Sequence, residues 1–221
     1  MRIKLDLNII KSELPKLLEN IKKAPVNDTA ISQIRTNINK MRTGWANEYS
    51  ANLEFCLAIV ESAIIRKPKN VLECGSGFTT ILLAALAQEL EFSFTALENS
   101  KEWYEITRRS LLFLGFSPNA LKMTPLKNYN EFEWYAVEEE NMNEVFDFIV
   151  CDGPPGHSLG GRRGLLPVLK KNLSENCIIF LDDAGREGEK EVLDYWEKEF
   201  GLIAEIKGAT HPYAQILTSY V

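Results

Sequence analysis

Asn70-Val-Leu-Glu-Cys-Gly-Ser-Gly-Phe-Thr-Thr80 decides the fold. A short apolar run ends in a turn built on Gly75 and Gly77 and passes directly into a second apolar run, Ile81 to Leu90. Strand, glycine turn and helix start, in that order, bring backbone N–H groups to a helix N-terminus where a small ligand can approach the main chain closely. Two acids frame the turn. Glu73 stands two residues before Gly75, and Glu98 ends the next apolar strand, residues 92–97. An acid at the tip of that second strand can accept both hydroxyls of a ribose. A dinucleotide fingerprint wants a third glycine three residues after the second, for close packing of helix on strand, and here that place is Thr80.

From this stretch toward the C-terminus, strands alternate with helices, which predicts a parallel sheet with helices on both faces. The expected strands are 70–74, 92–97, a third near 120–124, then 146–151, 177–181, 202–207 and 215–220. Ser100 is placed to cap the helix after the second strand and Gly115 to close it. Only Gly208 to Tyr213 separates the last two strands, too little for a parallel crossover, so the chain should end in an antiparallel hairpin. Toward the N-terminus the pattern is helical. Leu14, Leu17, Leu18 and Ile21 share one face, Ile31, Ile34, Ile38 and Met41 another, and a third helix runs over about 51–65. Asn27-Asp28-Thr29 offers a cap for the second of these. The expected architecture is α/β: a doubly wound, mostly parallel seven-stranded sheet over 67–221, closed by a C-terminal antiparallel hairpin and preceded by a helical extension over 1–66.

At 221 residues, 45% of them hydrophobic, the chain can bury a full core. Its net charge of −6 comes without a basic tract, which argues against a nucleic-acid partner. Lys22-Lys23 and Lys170-Lys171 are isolated pairs that read as solvated helix faces. Cys56, Cys74, Cys151 and Cys177 show no Cys-x-x-Cys spacing and read as small buried hydrophobes in a reducing compartment. Charges interrupt the apolar stretches at the start, and no apolar run approaches the ~20 residues that span a bilayer. The expectation is a cytoplasmic protein without a membrane partner, whose apolar N-terminal helices offer a surface for pairing two subunits.

The segment Glu73-Cys-Gly-Ser-Gly77 together with Glu98 resembles the class I S-adenosylmethionine-dependent methyltransferases, whose first motif reads acid-x-Gly-x-Gly and whose second strand ends in a ribose-binding acid. A parallel sheet closed by a terminal hairpin is similar to the same fold and differs from most dinucleotide-binding Rossmann domains. The resemblance implies methyl transfer from S-adenosylmethionine to a small-molecule acceptor. It implies Glu98 on the ribose, Gly75, Ser76 and Gly77 beside the methionine part, and Glu73, Thr79, Asn99 and Asp152 completing the cofactor site. The fourth strand ends in Asp152-Gly-Pro-Pro-Gly156, beyond the carboxyl end of the sheet, where doubly wound folds bind ligands. Asp152-Gly-Pro-Pro, with Trp134-Tyr135 upstream, resembles one branch of these methyltransferases, and the likeness covers roughly residues 45 to 221.

The fifth strand ends in Asp182-Asp183, followed by Ala-Gly-Arg186. If the fourth and fifth strands are neighbours, their tips lie about 5 Å apart, and Asp152, Asp182 and Asp183 crowd one volume. Such a cluster persists if a cation neutralises it, if one acid keeps a proton, or if some face Arg162, Arg163 or Arg186. Mg²⁺ suits the first case. The arrangement is similar to the catechol and caffeoyl-CoA O-methyltransferases, which implies Asp152, Asp182 and Asp183 as metal ligands and an oxygen acceptor. Asp183 stands where those enzymes carry an amide, and Pro155 where they carry a lysine base. The competing reading has Asp182 or Asp183 capping the helix of Val192, Leu193 and Trp196, with Arg186 paired to a neighbouring acid.

Asp152 and His157, which follows the proline turn, are the catalytic candidates, His157 as general base. Trp45 and Tyr49 either close over the cofactor or hold the helical segment to the sheet. The loop Ser158 to Gly164 reads as a flexible cationic connection, suited to an anionic acceptor or simply solvated. A nicotinamide-dependent oxidoreductase and a non-catalytic cofactor-binding partner subunit are the competing functions. Aminopropyl transfer would want Asp-x-x-Asp-Pro where this chain has Asp152-Gly-Pro-Pro.

Overall fold

The computed structural model describes residues 5–24, 28–47, 50–137 and 144–218. Three helices open the chain: α1 (Leu7–Lys23), α2 (Asp28–Gly44) and α3 (Leu53–Arg66). Asp6 caps α1 by accepting from the Asn8 N–H, and Asn52 caps α3 by accepting from the Phe55 N–H. Asn27 lies outside the described residues. The apolar stripes that sequence spacing placed on α1 and α2 are buried inside the chain, Leu14, Leu17 and Ile21 against Ile34, Ile38 and Met41. These faces, which suggested subunit pairing, are therefore already covered by the chain itself.

The alternating part follows as β1 (Asn70–Cys74), α4 (Phe78–Leu90), β2 (Ser93–Glu98), α5 (Lys101–Leu114) and β3 (Leu121–Met123). Ser100 caps α5 through the Trp103 N–H, and Gly115, in the left-handed conformation, closes it. Next come β4 (Leu126–Asn128) and β5 (Glu133–Tyr135), a two-stranded antiparallel hairpin. The sheet resumes with β6 (Phe146–Cys151), then α6 (Leu165–Leu169), β7 (Leu173–Leu181), α7 (Glu187–Phe200), β8 (Ala204–Lys207) and β9 (Tyr213–Leu217).

Seven strands pair in the order β3-β2-β1-β6-β7-β9-β8. Pairing is parallel from β3 to β7, and β9 runs antiparallel to both β7 and β8. The seven-stranded sheet and its terminal hairpin are as the sequence reading expects, with shifted ends. β7 starts at Leu173 rather than 177. β9 is placed by its ladder with β7, Leu181 opposite Ala214 and Ile178 opposite Leu217, so it starts at 213 rather than 215 and runs to 217; residues 219 and 220 of the expected strand lie outside the described residues.

Side chains alternate across the central strands because successive residues of a strand point to opposite faces. Val71, Phe148, Val150, Ile178 and Phe180 face one core, shared with α1 to α4. Leu72, Cys74, Ile149, Cys151, Ile179 and Leu181 face the other, shared with α6, α7 and the β4–β5 hairpin through Trp134 and Tyr135. All four cysteines are free and buried. Among the described residues no helix is long and apolar enough to cross a membrane.

Candidate functional site

The turn between β1 and α4 lies at the carboxyl end of the parallel strands, where the order changes direction between β1 and β6. Gly75 has φ +95, a left-handed value that disfavours a side chain, and a Cβ there would meet the Gly153 nitrogen at 3.1 Å. The turns after β1 and β6 thus lie backbone on backbone, and the N–H groups of Asp152 and Gly153 both donate to the Cys74 carbonyl. A Cβ at Gly77 would meet nothing within 4 Å, so the turn opens into space at the start of α4. No side chain caps α4 there, and Thr80, where a dinucleotide fingerprint has glycine, is buried and accepts from the Gly77 N–H at 2.9 Å. A free helix N-terminus beside an open glycine is a cradle for a small ligand.

Among the described residues the two framing acids have no cationic partner. Glu73 is fully buried, its Oε1 accepts from the Thr79 hydroxyl at 2.5 Å, and its Oε2 has no partner. Burial pushes its carboxyl up to about 8, against the hydroxyls of Thr79 and Thr80. Glu98 at the tip of β2 accepts from the Ser76 hydroxyl at 2.6 Å and the Ser100 N–H at 2.7 Å, and burial raises it as well. Ser76 thereby ties the glycine turn to the second strand. Asn99 follows Glu98 and is half-buried. The donor set fits a ligand that carries hydroxyls and an ammonium group. Thr79 differs from expectation, since its hydroxyl turns inward to Glu73 rather than toward the opening.

β6 and β7 are neighbours, and their tips bring Asp152, Asp182 and Asp183 together, with one carboxylate oxygen of each within 4.8 Å of the others. Arg162 stands among them. Its Nη2 donates to the Asp152 carboxylate at 3.0 Å, the Asp152 carbonyl at 2.8 Å and the Asp183 carboxylate at 3.1 Å. Its Nη1 donates to the Asp182 carbonyl at 2.6 Å and lies 3.6 Å from Glu189. Arg186 pairs with Asp183 from outside at 2.7 Å, as one of the sequence readings expects. Neither aspartate caps α7, whose N-cap is Arg186 with no side-chain bond. Burial, then Asp182, raises Asp152 well above the usual carboxylate range while Arg162 opposes. Burial, then Asp183, raises Asp182 to about 6.

A resident divalent ion does not fit this donor set. An ion sharing the oxygens that Arg162 holds would stand ~4 Å from a guanidinium that cannot lose its proton. That repulsion is about 8 kcal/mol at an effective dielectric constant of ~20, before attraction to the acids is added.

Several other sequence candidates have definite places. His157 is exposed in the loop after Pro155. Trp45 is buried and packs on Phe78, the first residue of α4, with ring centroids 6.3 Å apart, so it holds the helical segment to α4. Tyr49 lies outside the described residues. Both arginines of the Ser158–Gly164 loop are engaged within the chain. Arg162 is buried, and Arg163 stacks on Tyr195 at 3.7 Å and pairs with Glu131. Sequence reasoning missed Glu189 as a member of the acid cluster, and it singled out Tyr135 without placing its buried hydroxyl, which lies against Gly153 with no hydrogen-bond partner among the described residues. A groove of about 430 Å³ between α7 and the β8–β9 hairpin, lined by Leu193, Leu202, Ile206 and Pro212, contains none of these residues.

No family model matches the chain, and no curated protein matches its sequence. Solved structures do. An O-methyltransferase from Bacillus cereus in complex with SAH is 14% identical, with 85% of this chain and 88% of that chain covered and a TM-score of 0.58. An SAH-bound methyltransferase from Podospora anserina is 15% identical over 92% of this chain and 86% of that chain, with a TM-score of 0.59. The O-methyltransferase TomG from Streptomyces achromogenes, in complex with SAM, is 13% identical over 86% of this chain and 90% of that chain, with a TM-score of 0.54. Likeness at this identity establishes the fold, an α/β Rossmann-like methyltransferase fold.

Proposed function

We propose that the chain is an S-adenosylmethionine-dependent methyltransferase acting on a small-molecule acceptor. The observation that carries this reading is the pair of buried acids without cationic partners, Glu73 and Glu98, on either side of an open glycine turn. In this reading Glu98 accepts the ribose hydroxyls once Ser76 or Ser100 yields, and the unpartnered Oε2 of Glu73 serves the ammonium of the methionine part. Gly75, Ser76 and Gly77 supply the close main-chain approach, and Asn99 adjoins the ribose. A nicotinamide cofactor is disfavoured by Thr80 and by the antiparallel β9.

Methyl transfer forms a bond from the acceptor atom to the methyl carbon, breaks the carbon–sulfur bond and leaves a neutral thioether, while the acceptor gives up a proton. Alignment does most of the chemistry, and positioning alone supplies up to ~7–11 kcal/mol. Asp152 is the proposed proton acceptor: Arg162 holds its Oδ1, and the side chain is 27% exposed at the strand tips. His157 is the second candidate. O-methylation is the finer reading, supported by the names of two of the similar structures. Isothermal titration with S-adenosylmethionine and S-adenosylhomocysteine tests the proposal. Micromolar binding that Glu98→Ala weakens is expected. Absence of binding by the wild type would remove the reading, and binding without turnover on any acceptor panel would favour a non-catalytic partner subunit.

A further inference from the structure

Arg162 lies in the short turn Gly161–Gly164, yet its side chain is only 3% exposed. One nitrogen, Nη2, is shared by the carboxylates of Asp152 and Asp183 and by the Asp152 carbonyl, and the other, Nη1, holds the Asp182 carbonyl. A planar fork of this kind can bind carboxylates and carbonyls at once. An oxygen on each acid is therefore already engaged: Asp152 Oδ1 by Arg162, Asp183 Oδ2 by Arg162 and Arg186, and Asp182 Oδ1 by the Asp183 N–H at 2.8 Å. Asp183 also adopts φ +58, a conformation costly for a residue with a side chain, and from it presents its carboxylate to both arginines.

We infer that the Arg162 guanidinium takes the place a divalent cation would hold among Asp152, Asp182 and Asp183, so that the cluster is an internal ion network and the chain works without a metal. Arg162 is then a positioning residue. It binds the tips of β6 and β7 to each other and fixes one oxygen of Asp152, leaving the other for the acceptor. The network also explains why the loop carrying Arg162 runs back across the sheet: Gly164 passes where a Cβ would meet Trp134 at 2.7 Å, and the Trp196 ring nitrogen donates to the Arg163 carbonyl at 3.1 Å.

The decisive experiment follows free Mn²⁺ by electron paramagnetic resonance as the wild-type chain is added, with Asp182→Asn as the comparison. The wild type should leave Mn²⁺ free into the millimolar range. Micromolar binding that Asp182→Asn abolishes would overturn the inference. Arg162→Met supplies a second arm, since without its guanidinium the acid cluster should gain Mn²⁺ affinity by about tenfold or more. A folded Arg162→Met chain that binds Mn²⁺ no better than the wild type would also overturn it. If that variant fails to fold, the wild-type titration decides alone. The consequence for turnover rests on the methyltransferase reading, and there a chelator should leave the methylation rate unchanged, whereas a rate abolished by chelator and restored by Mg²⁺ counts against the inference. The Mn²⁺ titration needs no cofactor, so failure of S-adenosylhomocysteine to bind would remove that reading and leave this one standing.

Discussion

Acids gather at two places along the same edge of the sheet, and they are treated in opposite ways. At the tips of β1 and β2, Glu73 and Glu98 bond to hydroxyls and N–H groups, and one oxygen of Glu73 has no hydrogen-bond partner among the described residues. At the tips of β6 and β7, Asp152 and Asp183 meet a guanidinium held in place by two strand ends. Burying an acid without a counter-charge is costly, so the first pair is poised for a ligand that brings one. The second cluster is largely settled within the chain. Acid content alone would have ranked the second place as the more reactive, and geometry reverses that ranking.

The largest effect at a fixed pH belongs to Arg162. Removing one partner of a buried ion network leaves uncompensated charge, so Arg162→Met should lower unfolding free energy by about 3–5 kcal/mol, read from denaturant midpoints at constant slope. A loss within the range of an exposed arginine would show that the acids need no internal cation.

The next effect sharpens the contrast through pH. Glu73 has a folded value of about 8 against an ordinary 4.5, so between them the folded state binds more protons than the unfolded one. Stability from this group is present at low pH and is lost as pH rises through about 8. Wild type minus Glu73→Gln should show a fall of about 4–5 kcal/mol across that window, and a flat difference would mean that Glu73 is ionised throughout. Because a bound ammonium favours the carboxylate, S-adenosylhomocysteine should bind more tightly as pH climbs toward 8, with proton release visible in buffers of different ionisation enthalpy. The smallest effect belongs to Glu98→Gln, which keeps the shape but removes the charge proposed to accept the two ribose hydroxyls. It should cost about 2 kcal/mol, roughly thirtyfold in cofactor affinity, with no change in melting temperature.

Local features were readable from the sequence because their causes are local. Glu73 to Gly77 announces strand, turn and helix within a few residues, and Gly208 to Tyr213 is too short to permit anything but a hairpin. Ser100 and Gly115 mark the ends of α5 for the same reason. The β4–β5 hairpin escaped notice because three-residue strands have no periodicity to detect. Arg162 read as one of several arginines able to face the acids, in a glycine-rich loop that suggested exposure. Its burial follows from β6 lying beside β7 and from Glu189 arriving on α7, both long-range facts. The inward turn of the Thr79 hydroxyl depends on the phase of α4, which composition does not encode.

The packing of the leading helices around α4 has a practical consequence. Trp45 leans on Phe78, the residue that starts the helix behind the glycine turn, and the stripe from Ile10 to Ile21 belongs to the same buried cluster as Ile81 and Leu82. The leading helices therefore act as a backstop for the glycine turn. A chain shortened to begin at α3 would bare a greasy strip along α4 and lose the brace under the glycine turn, so it should precipitate before it could bind anything.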